Sequence, residues 1–269
     1  MTAAPGAAGV LLESRSIIKT LIAFVCFCLA SSGTYCWNDA LDVVADRMHP
    51  RKRLRPVASG AVSVATAERY GSVLIAAAIA LSFAATWHLT LVVTAYAAIT
   101  MLYSIWLKHE PVLDLAAVAS GFVLRTVAGG VAVGVSISNW FLIVAASGAM
   151  FVVTGKRSAE HSELGADAVL HRRSLAHYST AYLGYVRAIS STIAILAYCL
   201  WAFEASARSG NPVWFQLAII PFVLGVLRYA LLLDQGEGGA PEEVLLRDHV
   251  LLVIGATWVV CFGIAVAAN

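Results

Sequence analysis

Residues 16–46 read SIIKTLIAFVCFCLASSGTYCWNDALDVVAD. The segment 16–37 is apolar but for Lys19 and small or hydroxyl residues, and it matches the roughly 20 residues a helix needs to cross hydrocarbon. Its end carries Asn38, Asp39, Asp42 and Asp46. On a helix the three aspartates fall at i, i+3 and i+7, so they climb one face. Immediately beyond, Arg47-Met48-His49-Pro50-Arg51-Lys52-Arg53-Leu54-Arg55-Pro56 brings in a run of cations. Asp39 and Asp42 are close enough to share one hard cation, with Asp46 farther along. Mg²⁺ takes oxygen ligands and is readily completed by substrate phosphates, so an acidic rung beside Lys and Arg reads as a seat for a diphosphate.

Composition supports the membrane reading independently. The chain has 269 residues, 60% hydrophobic and 13% charged, with a mean hydropathy of +0.80, whereas soluble domains carry about 25% charged residues. About eight spans are legible, at 16–37, 63–86, 89–107, 111–134, 138–154, 180–203, 213–233 and 248–267. The expected fold is all-α, a polytopic transmembrane helical bundle, with one domain over 1–269. The net charge of +2 says little, but its placement orients the chain. Arg47, Arg51, Lys52, Arg53, Arg55, Lys108, Lys156, Arg157, Arg172, Arg173 and Arg247 lie in alternate loops, which are therefore cytoplasmic. The expected location is the plasma membrane, multi-pass, with the aspartates facing the cytoplasm. That orientation puts Met1 outside and leaves Arg15 and Lys19 on the wrong side, with no signal peptide before them. The expectation is that one more apolar span precedes Met1, a genuine eight-span form being the alternative.

Asn-Asp-x-x-Asp-x-x-x-Asp after an apolar helix resembles the first motif of the UbiA superfamily of intramembrane prenyltransferases. The blocks NDALDVVADRMHPRKRLRPVAS (38–59), Leu107-Lys108-His109, SGFVLRTVAGG (120–130), GKRSAE (155–160) and Arg173-Ser174-Leu175 are similar to one branch, the decaprenyl-phosphate phosphoribosyltransferases. The family's usual first helix, opened by Arg-Pro-x-Gln-Trp-x-Lys-Asn, is not found. The resemblance implies a Mg²⁺-dependent transfer of 5-phosphoribosyl from phosphoribosyl diphosphate to a polyprenyl phosphate, in the supply of cell-wall arabinan precursors. It implies Asn38, Asp39 and Asp42 as catalytic residues, with Asp39, Asp42 and Asp46 on the metal.

Other residues follow from position. Pro50 and Pro56 stop helical continuation, so Lys52 and Arg55 can fold back over the aspartates toward the donor. Tyr103 lies about one turn before Lys108 and is assigned with it to the donor's cavity. Arg125, about fourteen residues into its span, needs an anion, a water-filled cavity, or an acid on a neighbouring helix. Gly130-x-x-x-Gly134 after it reads as a close helix-packing pattern. Residues 155–178 form the longest polar segment. Most of the superfamily has a second acidic motif there. This chain has Lys156, Arg157 and Glu160 with Arg173, a metal-free clamp suited to a donor with a further phosphate. Arg125, Arg187 and Tyr178 are assigned to the lipid phosphate, and Arg228 to a lipid phosphate or to snorkelling.

Two other function classes were weighed. An ordinary prenyltransferase acting on an aromatic acceptor shares the first motif but needs the second acidic rung. A non-enzymatic lipid transporter should show inverted repeats and helices broken at mid-membrane. Seven histidines show no metalloprotease spacing and five cysteines no disulfide or zinc pattern, while no basic, aromatic-interleaved stripe suggests nucleic acid. The expected partners are phosphoribosyl diphosphate, a polyprenyl phosphate that enters sideways between helices, and the membrane. Homo-oligomerisation is left open.

Overall fold

Three helix starts among the described residues fall where a hydroxyl side chain satisfies a backbone N–H that the helix itself leaves free. The computed structural model describes residues 1–7, 9, 13–50, 52–164, 177–209, 213–236 and 241–267. Its helices are α1 (Ala3–Ala7), α2 (Ser14–Leu41), α3 (Val43–Met48), α4 (Val64–Ser82), α5 (Trp87–Ile105), α6 (Leu113–Val133), α7 (Asn139–Leu164), α8 (Thr180–Arg208), α9 (Val213–Leu217), α10 (Ile219–Asp234), α11 (Pro241–Arg247) and α12 (His249–Ala267). Short 3-10 turns lie at Lys52–Leu54 and Leu107–His109. Ser63, Thr86 and Ser179 cap α4, α5 and α8, each hydroxyl accepting the N–H three residues on. Gly134 closes α6 in the left-handed region at φ +81. The expected packing role of Gly134 is thereby corrected, since a Cβ there would meet nothing within 4 Å.

Eight of these segments are long and apolar enough to cross a membrane, so the all-α, eight-span class holds and the chain is a multi-pass membrane protein. Two boundaries differ from those read off hydropathy. The span Val213–Asp234 is interrupted between α9 and α10, because Pro221 has no N–H for the carbonyl of Leu217. Helix α7 runs on to Leu164 instead of stopping near 154, because Lys, Arg, Ala and Glu propagate a helix as well outside the hydrocarbon as apolar residues do within it.

The chain condenses into two compact units, Met1–Ser136 and Ile137–Asn269. In the first, α2 packs against α4, α5 and α6 around Cys26, Phe27, Ala30, Leu89, Val93, Tyr96 and Ala128. The α2–α4 crossing is made by Gly33 and Gly71. A Cβ on Gly33 would lie 2.7 Å from the Gly71 carbonyl oxygen, and one on Gly71 2.8 Å from that of Gly33, so the two backbones touch. This crossing sits one and a half turns from Asp39 and fixes the acidic end of α2 against α4. In the second unit α7 packs along α8, and α10 against α12. Its core gathers Phe151, Tyr229, Leu232, Leu233, Val244 and Leu251. Gly155 allows α7 to approach α10, where a Cβ would come within 2.6 Å of Leu233 Cδ1. Phe24, Val73 and Val253 are among many large apolar side chains left exposed, as lipid-facing surfaces require.

Candidate active site

Aspartate is a poor residue for a helix interior and a good one for a helix start. Here α2 ends at Leu41, Asp42 leaves helical geometry at φ −92 and ψ 5, and α3 begins at Val43, without a side-chain cap from Asp42, whose Oδ1 accepts from Lys108 instead. The straight acidic face expected from the spacing is bent at its middle residue. Backbone bonds still run through the bend, from Asp42 N–H to the Asn38 carbonyl at 2.9 Å and from Asp46 N–H to the Asp42 carbonyl at 2.8 Å. The carboxylates therefore stay close enough to be bridged. Arg55 Nη1 donates to Asp39 Oδ1 and to Asp46 Oδ2, both at 2.9 Å, and Lys108 Nζ reaches Asp42 Oδ1 at 2.5 Å.

Each cation is delivered by a tied loop. Beyond α3 the chain turns back through Lys52–Leu54, Arg55 N–H bonds to the Lys52 carbonyl at 2.9 Å, and Arg47 Nε holds the Ala58 carbonyl at 3.1 Å. Val57 is buried with Ala40 and Ala67, an apolar anchor under the loop. Lys108 sits in the Leu107–His109 turn between α5 and α6. That connection contains Val112 at φ +70, a left-handed conformation that costs a β-branched residue about 1–2 kcal/mol. The turn is closed beyond by fully buried Asp114, whose Oδ1 accepts the Leu115 N–H at 2.8 Å.

Asn38 and Tyr103 are half-buried on the same unit, Asn38 at the acidic end of α2 and Tyr103 in the last turns of α5. Lys52 uses its backbone N–H on His49 Nδ1 at 3.2 Å, and Arg55 is the loop residue that bridges two of the acids. Arg125 donates through Nη2 to Tyr96 Oη at 2.8 Å and to Ser31 Oγ at 3.3 Å. Of the alternatives that sequence leaves open for Arg125, an acid on a neighbouring helix is not found among the described residues. Neither Tyr96 nor Ser31 was singled out by sequence, although Tyr96 lies seven residues before Tyr103 and hence on the same face of α5.

In the second unit, Arg157 is buried and pairs one turn along α7 with Glu160 at 2.7 Å, as its spacing implied, while Lys156 is exposed. Tyr178 is buried and stacks on Tyr182 at 5.8 Å. Arg187 faces Asp234 at 4.0 Å. Arg173 lies outside the described residues. Arg228 neither snorkels nor waits for a lipid: it grips Asp248 with two bonds, at 2.6 and 3.2 Å. The Arg228 hydrogen bond, helped by the Leu251 N–H, holds the Asp248 carboxyl below the usual carboxylate value.

The donor set at the acidic end of α2 is all oxygen, which fits a hard divalent cation rather than zinc or copper. Among the described residues no three acids are yet gathered at metal-binding spacing, because Arg55 and Lys108 hold them. Three carboxylates against two cations leave one negative charge at this end of α2.

The model of the UbiA prenyltransferase family matches residues 2–254. The decaprenyl-phosphate phosphoribosyltransferase of Corynebacterium glutamicum is 46% identical over 272 residues, covering 98% of this chain and 81% of that one. Its namesake from Mycobacterium tuberculosis is 41% identical over 249 residues, covering 93% and 82%. Among solved structures, a UbiA homolog from Archaeoglobus fulgidus bound to GPP and Mg²⁺ superposes with a TM-score of 0.73 at 18% identity, over 98% of this chain and 94% of that one. The same homolog bound to DMAPP and Mg²⁺ gives 0.75 at 16% identity, over 98% and 93%. At such identities the likeness is one of fold.

Proposed function

This chain belongs to the UbiA prenyltransferase family, and from that footing we propose that it transfers a 5-phosphoribosyl group from phosphoribosyl diphosphate to a polyprenyl phosphate, releasing pyrophosphate. The observation that carries the proposal is identity of 40–46% to decaprenyl-phosphate phosphoribosyltransferases over more than nine-tenths of the chain. The bond from C1 of the ribose to the leaving diphosphate breaks as a lipid phosphate oxygen bonds to C1. Because the nucleophile is already an anion, no strong general base is needed.

Asp39, Asp42 and Asp46 are the residues that would hold the divalent metal, with Asn38 beside them. Bound there, Mg²⁺ supplies positive charge to neutralise the departing diphosphate. Arg55 and Lys108 exchange the acids for the diphosphate oxygens, and Lys52 and Tyr103 complete the donor's surroundings. On the second unit, Lys156, Arg157 and Arg173 are assigned to donor phosphates, with Glu160 orienting the Arg157 guanidinium. Arg125, Arg187 and Tyr178 remain assigned to the lipid phosphate. Positioning and charge stabilisation supply the rate in a site of this kind. Residues 1–269 act as one functional domain in the plasma membrane, the aspartates opening to the cytoplasm because the basic loops face that way.

The test is to incubate membranes containing the protein with labelled phosphoribosyl diphosphate and polyprenyl phosphate. The expected result is a labelled lipid that depends on a divalent cation. No labelled lipid, together with product from a labelled prenyl diphosphate and an aromatic acceptor, would instead make the chain an ordinary prenyltransferase.

A further inference from the structure

Arg125 stands well inside a membrane span and holds only neutral partners among the described residues. Its Nη2 donates to Tyr96 Oη and Ser31 Oγ, and those two hydroxyls are themselves 2.9 Å apart. Aromatic rings surround the guanidinium carbon, Tyr96 at 4.9 Å, Phe122 at 5.7 Å and Phe27 at 6.0 Å. Hydroxyls and ring faces hold a cation in place without cancelling its charge. A guanidinium in hydrocarbon without a counter-ion is expensive, and such residues face a bundle interior or cavity where an anion completes them.

The surroundings show the side from which that anion comes. Nη1 and Nε have no protein partner among the described residues. One turn toward the acidic end of the site, Gly121 faces the guanidinium, and a Cβ there would lie 3.6 Å from both Arg125 Nη1 and Tyr96 Cε2. Any longer side chain at 121 would fill the space in front of the cation. Ser31 lies eight residues before Asp39, about 12 Å along α2. Ser31, which holds the cation, and Asp39 thus lie along one helix of the same unit.

We propose that Arg125, Ser31 and Tyr96 form the seat of the acceptor's phosphate, a phosphate monoester drawn into the membrane interior, with Gly121 packed beside the Nη1 edge of the guanidinium. The proposal rests on the transfer reaction above and adds to it the residues that tell a polyprenyl phosphate from the corresponding alcohol. Tyr96 and Ser31 are positioning residues: they aim the guanidinium and leave its free edge to the phosphate.

The experiment uses the full chain in nanodiscs of zwitterionic lipid, titrated with a polyprenyl phosphate and with the matching polyprenol, bound lipid being counted by native mass spectrometry. The wild type should prefer the phosphate. Arg125→Gln should lose about tenfold to a hundredfold of that preference, the scale of a charged hydrogen bond, with polyprenol binding unchanged. Arg125→Lys should keep most of it, and Gly121→Leu should lose it with Arg125 intact. Tyr96→Phe, which keeps the ring, should cost a few-fold and serves as the mildest variant should Arg125→Gln misfold. Undiminished preference in folded Arg125→Gln and Gly121→Leu would overturn the seat. A rise in the KM for phosphoribosyl diphosphate with lipid preference intact would overturn it too, placing a donor phosphate there. Preference that depends on Arg125 in a protein with no turnover would support the seat and count against the transfer reaction instead.

Discussion

Arg55 is the residue whose removal should separate structure from metal binding most clearly. One nitrogen, Nη1, serves Asp39 and Asp46 at 2.9 Å each. The pair with Asp46 is buried on one side only: the Asp46 side chain is 4% exposed and that of Arg55 36%. Fully exposed pairs contribute about 0–1 kcal/mol, and breaking fully buried ones costs about 3–5 kcal/mol. Discounted for solvent on the arginine side, Arg55→Gln should cost about 2 kcal/mol without metal. On the usual scale for chains of about 150–250 residues that lowers the melting temperature by about 4–8 °C. The loss should be conditional. Freed of Arg55, Asp39 and Asp46 repel each other and Asp42, so a divalent cation gains both ligands and relief of repulsion. Millimolar Mg²⁺ should therefore raise the melting temperature of Arg55→Gln more than that of the wild type and return most of the deficit, as read by thermal scanning in detergent with and without chelator. An equal Mg²⁺ shift in the two proteins would refute the reasoning, since it would mean that Arg55 and the metal do not compete for the same carboxylates.

Asp39→Asn or Asp42→Asn should each cut turnover at least a hundredfold in the labelled-lipid assay, and near-normal Mg²⁺-dependent activity in either would remove the metal assignment. Arg157→Ala should raise the donor KM about tenfold to a hundredfold and leave the lipid KM unchanged; the opposite pattern would assign Arg157 to the lipid. The Arg228–Asp248 pair carries a pH signature. The Asp248 pKa is depressed in the folded chain from 3.8, so its contribution is present above 3.8 and is lost as pH falls through the lower folded value. The stability gap between wild type and Arg228→Gln should accordingly be open near neutral pH and close in acid, whereas a gap that persists well below 3.8 would mean that packing, not charge, holds that corner.

Much of this site is written in local pattern. Asp39, Asp42 and Asp46 follow from helical spacing, the return of Arg55 from two prolines that forbid a longer helix, and the Arg157–Glu160 pair from a separation of three. Spans were legible because hydrocarbon imposes a length on apolar helices, whichever partners they choose. What escaped depends on tertiary approach or on competition within one residue. The bend at Asp42 interrupts a helix that spacing alone reads as continuous, and the carboxylate there meets Lys108 from another loop. Gly134 has the spacing of a packing glycine, yet its backbone is spent on ending α6. Tyr96 and Ser31 gain meaning only because α5 and α2 bring them to Arg125, and Asp248 only because α10 brings Arg228 to it. No periodicity encodes those meetings.

The contact of Gly33 with Gly71 also bears on traffic through the membrane. Where two backbones touch, with Trp37 and Ile75 lying against the same glycines, there is no slot wide enough for an isoprenoid chain to slide through. At this crossing α2 and α4 touch beside the acids, so the lipid acceptor proposed above would enter elsewhere than between these two glycines.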